Sequence, residues 1–340
     1  MKKLVSLLLC LVMIAALAAC GQQPKAAPAP RATAAEPAEE TVSENTAIAF
    51  PEKKITLVVP YDAGGVNDVP ARLTVETVNT YLNPGIEVIN VPGSAGTVGG
   101  NQVMIADPDG YTLLVAPPGY ALQYALGTCP FTFEDFRPIC VFAETYQAIV
   151  VKADSSYETL VDFVEAAKAA PGQLKVGAVS GTLPVFSALA LESQKDIDVN
   201  IVDMELTAKA SELLSGRVDA YFDSIGNVTQ YLEGGQFRCL GIIADKRLES
   251  LPDVPTFAEM GFSNLEFLRQ MFAIWAPAGT PDEVCTVIED AFKSAAEDPA
   301  NAEKLLPTNN FPCFIDNATY MQMLPEINAS YAEYAKIVLG

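Results

Sequence analysis

Ile55-Thr-Leu-Val-Val-Pro60-Tyr61-Asp62-Ala63-Gly64-Gly65-Val66-Asn67-Asp68-Val69-Pro70 reads as a buried strand, a glycine turn and the start of a helix. Ile55 to Val59 is a short apolar, β-branched run, as expected of a strand covered on both faces. Gly64 and Gly65 let the backbone adopt positive φ and approach a ligand closely. Asn67 or Asp68 is placed to cap the helix, and Pro70 is tolerated in its first turn. Val69, Leu73, Val78 and Leu82 then recur with helical spacing.

The same alternation runs along the chain. Residues 87–90, 112–116, 148–151, 175–179, 218–222, 239–243 and 272–276 read as strands. Helical patterns cover 160–169, 184–192, 208–214, the stretch from Pro281 to about Ala296, and 320–339. Pro92 to Gly100 reads as a glycine-rich loop. Strands alternating with helices predict an α/β protein whose parallel sheets are covered on both faces. Ligands of such sheets bind beyond the C-terminal ends of the strands, where helices begin. Two junctions fit that position. One is the Tyr61 to Asp68 loop, and the other is Ser180-Gly181-Thr182-Leu183-Pro184, with Thr182 as N-cap. A helix N-terminus offers unpaired N–H groups and partial positive charge to a carboxylate. Either junction could equally be a glycine turn that only caps its helix.

Composition narrows the chemistry. The chain of 340 residues has a net charge of -21 and contains no histidine. Before Phe50, Lys2, Lys3, Lys25 and Arg31 balance Glu36, Glu39, Glu40 and Glu44, so the remainder carries the whole excess. An acidic surface excludes nucleic acid as a partner. The missing histidine excludes Ser-His-Asp and Cys-His mechanisms, and no nucleophile motif is present. None of the seven cysteines forms a CxxC pair, so no zinc site or other metal site is expected, and no cofactor motif appears. Cys129 and Cys140 flank a short segment and could close a small loop outside the cell, or remain free thiols.

The N-terminus is a targeting segment. Lys2 and Lys3 precede an apolar run from Leu4 to Ala19, which ends Leu17-Ala-Ala-Cys20. That run is shorter than the roughly 20 residues of a spanning helix. A cysteine after small residues is the lipobox pattern, which makes residues 1–19 a lipoprotein signal and Cys20 the lipid attachment site. An ordinary cleaved signal is the competing reading. Residues 20–49, rich in Ala, Pro and Glu, read as a flexible tether from the membrane. The protein is therefore expected outside the cytoplasm, anchored by lipid.

Motifs in register across the rest of the chain resemble one family. They are Ile55-Thr-Leu-Val-Val-Pro60, Ala63-Gly-Gly65, Asp68, Ala71-Arg72, Pro92-Gly93 with Gly96 and Gly99, and Pro108-Asp-Gly-Tyr-Thr-Leu-Leu114. Further along come Gly181-Thr182, Leu213-Leu-Ser-Gly-Arg-Val-Asp219, Phe222-Asp223, Leu251-Pro-Asp-Val-Pro-Thr256 and Ala276-Pro-Ala-Gly-Thr-Pro281. Together they resemble the substrate-binding proteins of tripartite tricarboxylate transporters, the Bug family.

The resemblance implies a type II periplasmic-binding-protein fold, with two α/β lobes joined by crossover strands around a ligand cleft. Lobe 1 would span 50–147 plus 272–340, and lobe 2 would span 148–271. A ligand carboxylate would meet Tyr61, Ala63, Gly64, Gly65, Asn67 and Asp68 on lobe 1 and Gly181 and Thr182 on lobe 2. Gly119, Asp223 and Asn227 would supply further walls. The implied partners are integral membrane transporter subunits and a small organic anion or amino acid, with the receptor itself a monomer. The same fold could also serve a sensor or scaffold that signals to a membrane partner. The sequence departs from the family at Val185, where histidine is frequent, and at Ser224, where asparagine is. Asp62, Asp203 and Glu205 could meet an amine on the ligand if they line the pocket, or be solvated surface charges.

Overall fold

The computed structural model describes residues 49–339 apart from 118, 119, 126, 128 and 206. Cys20, Gly119, the signal segment and the tether lie outside the described residues, while residues 47–340 form a compact unit of their own.

The strands are β1 (Ile55–Val59), β2 (Ile86–Asn90), β3 (Thr112–Ala116), β4 (Phe136–Thr145), β5 (Gln147–Lys152), β6 (Lys175–Ala178), β7 (Asn200–Asp203), β8 (Ala220–Ser224), β9 (Phe237–Ile243), β10 (Gln270–Pro277) and β11 (Phe311–Asp316). The helices are α1 (Asp68–Val78), α2 (Thr97–Met104), α3 (Tyr120–Ala125), α4 (Leu160–Ala169), α5 (Leu183–Lys195), α6 (Lys209–Leu214), α7 (Ile225–Glu233), α8 (Asp282–Glu297), α9 (Pro299–Leu305) and α10 (Asn317–Leu339).

Two sheets organise the molecule, ordered β11-β4-β10-β3-β1-β2 and β7-β6-β8-β5-β9. Side chains alternate across the first sheet. Ile55, Leu57 and Val59 pack with Ile274 and Phe292 on one face, while Val58 packs with Leu114 and Trp275 on the other. That two-sided covering is why β1 reads as a continuous apolar run. The sheets are mixed, which corrects the expectation of parallel sheets. β1, β2 and β3 are parallel, but β10 runs antiparallel to β3 and β4. In the second sheet β5 runs antiparallel to β8 and β9. The cause is the path of the chain: β4 passes into β5 through Tyr146 alone, so the direction carried from one sheet opposes the helix-connected strands of the other.

This path sets the position of the cleft. β1, β2 and β3 end on the edge of the first sheet where β4 ends and β10 begins, since Thr145 pairs with Gln270. In the second sheet β8 and β9 end where β5 begins, with Gln147 opposite Ser224 and Ile243. The C-terminal edges of both sets of parallel strands therefore meet at the connections around residues 145–147 and 270. Helix α10 spans the same junction: Tyr320 packs edge-on to Trp275, and further along Tyr331 packs against Phe186 of α5 and Phe267.

Cys129 and Cys140 are free thiols buried in different apolar clusters, so they form no bridge. Cys140 faces the α8 side of the first sheet, while Cys129 lies on the Tyr120 side. Burial pushes the Cys140 thiol well above its ordinary range. It is thus a core residue kept protonated.

Candidate functional site

The loop between β1 and α1 is held from within. Asp68 is 2% exposed. Its carboxylate accepts from the Gly64 N–H at 2.8 Å, from Arg72 Nε at 2.9 Å and from Asn90 Nδ2 at 2.8 Å. The Asn90 amide also donates to the Tyr61 carbonyl at 3.0 Å, and Arg72 Nη2 donates to Asn90 Oδ1 at 2.6 Å. Gly64 sits at φ +77°, where a side chain would be strained. Asp68 is thus consumed in shaping the turn. Arg72, one helical turn on, is its structural partner.

Burial pushes the Asp68 carboxyl up, but the donors Arg72, Gly64 and Asn90 and the Arg72 charge outweigh it and hold the group below its ordinary value. A folded-state value below the unfolded one stabilises the protein above the unfolded value of about 4. That stabilisation is lost as pH falls through the folded value. Asp68→Asn is therefore expected to cost stability at pH 7, with the difference from wild type shrinking below about pH 4. Urea denaturation across pH measures this, and a pH-independent difference would contradict it.

The remaining loop residues divide. Ala63 and Gly64 are exposed at the turn. The Tyr61 ring packs behind the turn, where a Cβ on Gly96 would lie 3.0 Å from its hydroxyl and 2.9 Å from that of Tyr120. Burial raises the Tyr61 phenol far out of the titrating range, so it acts as a neutral wall. Asn67 occupies the N-cap position of α1 without a side-chain cap bond. Its Oδ1 instead accepts from Gln270 Nε2 at 3.4 Å.

The second lobe repeats this economy. Asp223, at the end of β8, accepts on Oδ1 from the Ser224 N–H at 2.8 Å and from Asn227 Nδ2 at 2.9 Å, and on Oδ2 from Lys209. Lys209 and Asp223 are both buried. The Ser224 hydroxyl donates to Gln270 Oε1 at 3.1 Å, so α7, like α1, begins without a side-chain cap. Thr182 is the N-cap residue of α5, but its hydroxyl donates to the Val179 carbonyl, leaving a third uncapped N-terminus. β6 and β8 are parallel neighbours, which places Gly181-Thr182 and Asp223 on one edge of the sheet.

A crevice of about 280 Å³ opens between α1 and α7. Gly64, Gly65 and Val66 line it on one side, Gly226 and Asn227 on another, and Thr308 closes it. Of the residues expected at the site, Gly64, Gly65 and Asn227 meet here. Asn67, Asp68 and Asp223 are internal supports, and Gly181 and Thr182 lie on the second-lobe edge outside this crevice. Asp62, Asp203 and Glu205 are exposed and absent from its lining. That favours the reading of them as surface charges; Asp203 caps the Ser180 N–H. Among the described residues the crevice is lined by one charged side chain, Glu233, and by no cation.

Gly226, Thr308, Lys209 and Gln270 escaped the sequence reading. The strand read from the sequence stops at residue 222, short of the strand end and helix start that occupy 223–227, and no local pattern joins positions 209, 270 and 308 to it. Among the described residues no group of three or more His, Cys, Asp or Glu side chains is placed to hold a metal.

A family model described as the tripartite tricarboxylate transporter family receptor matches residues 71–334. A UPF0065 protein of Agrobacterium vitis, from the TAR-I ttuE-ttuC' intergenic region, is 29% identical over 293 residues, covering 85% of this chain and 84% of its own. A TctC solute-binding protein from Polaromonas, solved without ligand, shares 26% identity at a TM-score of 0.68, covering 84% of this chain and 98% of that one. MatC from Rhodopseudomonas palustris, solved with malate, shares 25% identity at a TM-score of 0.72, covering 84% of this chain and all of that one (100%). The two-lobe architecture is thus that of periplasmic binding proteins, and the matching family and the Polaromonas structure are described as a transporter receptor and a solute-binding protein rather than as enzymes.

Proposed function

Because the chain belongs to the tripartite tricarboxylate transporter receptor family, we propose that it captures a small carboxylate-bearing solute outside the cytoplasm by lobe closure and delivers it to the membrane subunits of such a transporter. Cys20 carries the lipid that keeps this monomeric receptor at the membrane. One observation carries the reading: the uncapped N-termini of α1 and α7, one from each sheet, converge on a single crevice.

Each helix start carries about half a positive charge; α7 adds the first-turn N–H groups of Gly226 and Asn227, whereas at α1 Asp68 and Val69 already donate to the Gly65 carbonyl and Pro70 has no N–H. Two such starts bind a carboxylate without arginine or lysine, which suits a chain of net charge -21. The internal carboxylates Asp68 and Asp223 already have partners, so they organise the loops rather than repel the ligand. Because the binding groups come from both lobes, the ligand contacts more of them when the lobes close, and it shifts the equilibrium toward the closed form.

The test is thermal unfolding of residues 47–340 with malate and other C4-dicarboxylates, citrate, acidic and neutral amino acids, nicotinate and aromatic acids. A ligand of the folded state raises the midpoint by mass action, because it adds about 2.7 kcal/mol to the unfolding free energy at one hundred times its Kd. A shift with one carboxylate class supports capture. No shift with any of them, in folded and ligand-free protein, overturns the carboxylate assignment.

Gly226 sets the spacing of the crevice. A Cβ there would lie 2.8 Å from the Thr308 carbonyl oxygen, a backbone atom that has little freedom to yield. Gly226→Ala is expected to push α7 away from residues 306–310 and to weaken the binding of any hit roughly tenfold, about 1.4 kcal/mol. Calorimetric titration reads the change, and an unaltered Kd would show that ligand does not sense this spacing.

A further inference from the structure

Four neutral polar side chains from the α1 loop, the start of α7 and the heads of β5 and β10 meet in one hydrogen-bonded cluster, and none of them lines the crevice. Asn67 lies on the α1 loop, Gln270 begins β10, Gln147 begins β5, and Ser224 precedes α7. All four are buried, with Gln147 fully so. Gln270 is the centre: its Nε2 donates to Asn67 Oδ1 at 3.4 Å, and its Oε1 accepts from Ser224 at 3.1 Å and from Gln147 Nε2 at 3.4 Å. Gln147 Nε2 also reaches Ser224 at 3.3 Å. The Gln147 Oε1 atom is buried without a partner.

We propose that Gln270 is a positioning residue for ligand capture, locking the α1 start and the α7 start into one hydrogen-bonded unit. The proposal rests on the carboxylate-capture reading above. The geometry supports it in three ways. Asn67 and Ser224 are the N-cap residues of the two helices whose starts face the crevice, and both side chains turn to Gln270 rather than cap their own helices. Gln270 and Gln147 head the two strands that connect the sheets, so any rotation between the sheets moves these amides against each other. Three of the four contacts measure 3.3–3.4 Å, longer than the usual 2.9–3.0 Å, so a closing movement of a few tenths of an ångström tightens them together. An apolar core at this place would pack as well but would not register one helix start against the other. Buried amide networks fix a unique arrangement in this way.

Gln270→Met keeps the side-chain volume and removes the donor and acceptor, and Ser224→Ala is a milder change at the far end of the chain of bonds. Hydrogen exchange of ligand-free residues 47–340 is measured by mass spectrometry, alongside titration with malate. The expected result is exchange about tenfold faster in both 64–69 and 225–229, with β3 and β8 unchanged, and malate affinity reduced about tenfold in Gln270→Met and less in Ser224→Ala. Unchanged exchange in both segments, or acceleration spread evenly over the whole protein, overturns the proposal. If malate binds neither wild type nor variants, the choice of ligand fails while the exchange pattern still decides the role of Gln270.

Discussion

Replacing Lys209 by methionine is expected to lower the unfolding free energy by about 3–5 kcal/mol, the usual cost of leaving one member of a buried ion pair alone. Its partner Asp223 is 4% exposed, and among the described residues the Lys209 ammonium is the one cation that reaches its Oδ2 atom. The Ser224 N–H and the Asn227 amide already occupy Oδ1. The start of α7 favours a negative charge nearby, which offsets about 0.3–1 kcal/mol of the loss. Adding Asp223→Asn to Lys209→Met removes the stranded charge while keeping an acceptor for Ser224, so the double variant should recover at least half of the stability. Urea denaturation followed by circular dichroism makes the comparison. A loss under about 1 kcal/mol in the single variant would mean that water reaches the carboxylate freely.

Trp275→Ala should cost about as much, in the range of 3–5 kcal/mol for a large buried aromatic. Trp275 is fully buried on β10, stacked on Phe133 with ring centres 4.4 Å apart and edge-on to Tyr320 at 5.5 Å. Its Nε1 donates to the carbonyl of Ala116, the last residue of β3. The substitution therefore opens a cavity between β10 and α10 and also strips a bond from a strand end at the cleft. Trp275→Phe, which retains the stacking, should lose much less. This is the only tryptophan, so its removal abolishes the intrinsic tryptophan fluorescence and the measurement has to follow secondary structure. Equal losses in the two variants would assign the effect to the hydrogen bond rather than to volume.

Most helix-connected strands, the half-exposed edge strand β7 excepted, were legible because burial on both faces writes a largely apolar run, as in Ile55–Val59 and Thr112–Ala116. β4 was not, although it is central to its sheet. Its Pro138 reads as a strand breaker, and it is accommodated opposite Trp275 where the register with β10 shifts. α2 was taken for a loop because Gly99 and Gly100 lie within it. They are there for packing: a Cβ on Gly99 would meet Pro60 at 2.7 Å, and one on Gly100 would meet Phe131 at 2.4 Å. At the site, the glycine turn was readable from Gly64 and Gly65 alone. That Asp68 and Asp223 face inward was not, because their partners Asn90 and Lys209 lie 22 and 14 residues away and sequence spacing does not encode that contact.

The passage of β4 into β5 and the return through β10 give the chain an order of assembly. The strands of the second sheet, β5 to β9, are contiguous from residue 147 to residue 243 and can pair as soon as that stretch is available. The first sheet has to wait. β10 lies between β4 and β3, so until residues 270–277 arrive, the piece from β1 to β3 has no hydrogen-bonded link to β4. A chain emerging N-terminus first from a ribosome or a translocation pore thus completes its second lobe while half of its first is still an open-edged fragment. The Tyr61 to Asp68 turn, made first, acquires its contact with Gln270 only after both sheets exist. The crevice takes shape only once both sheets are in place.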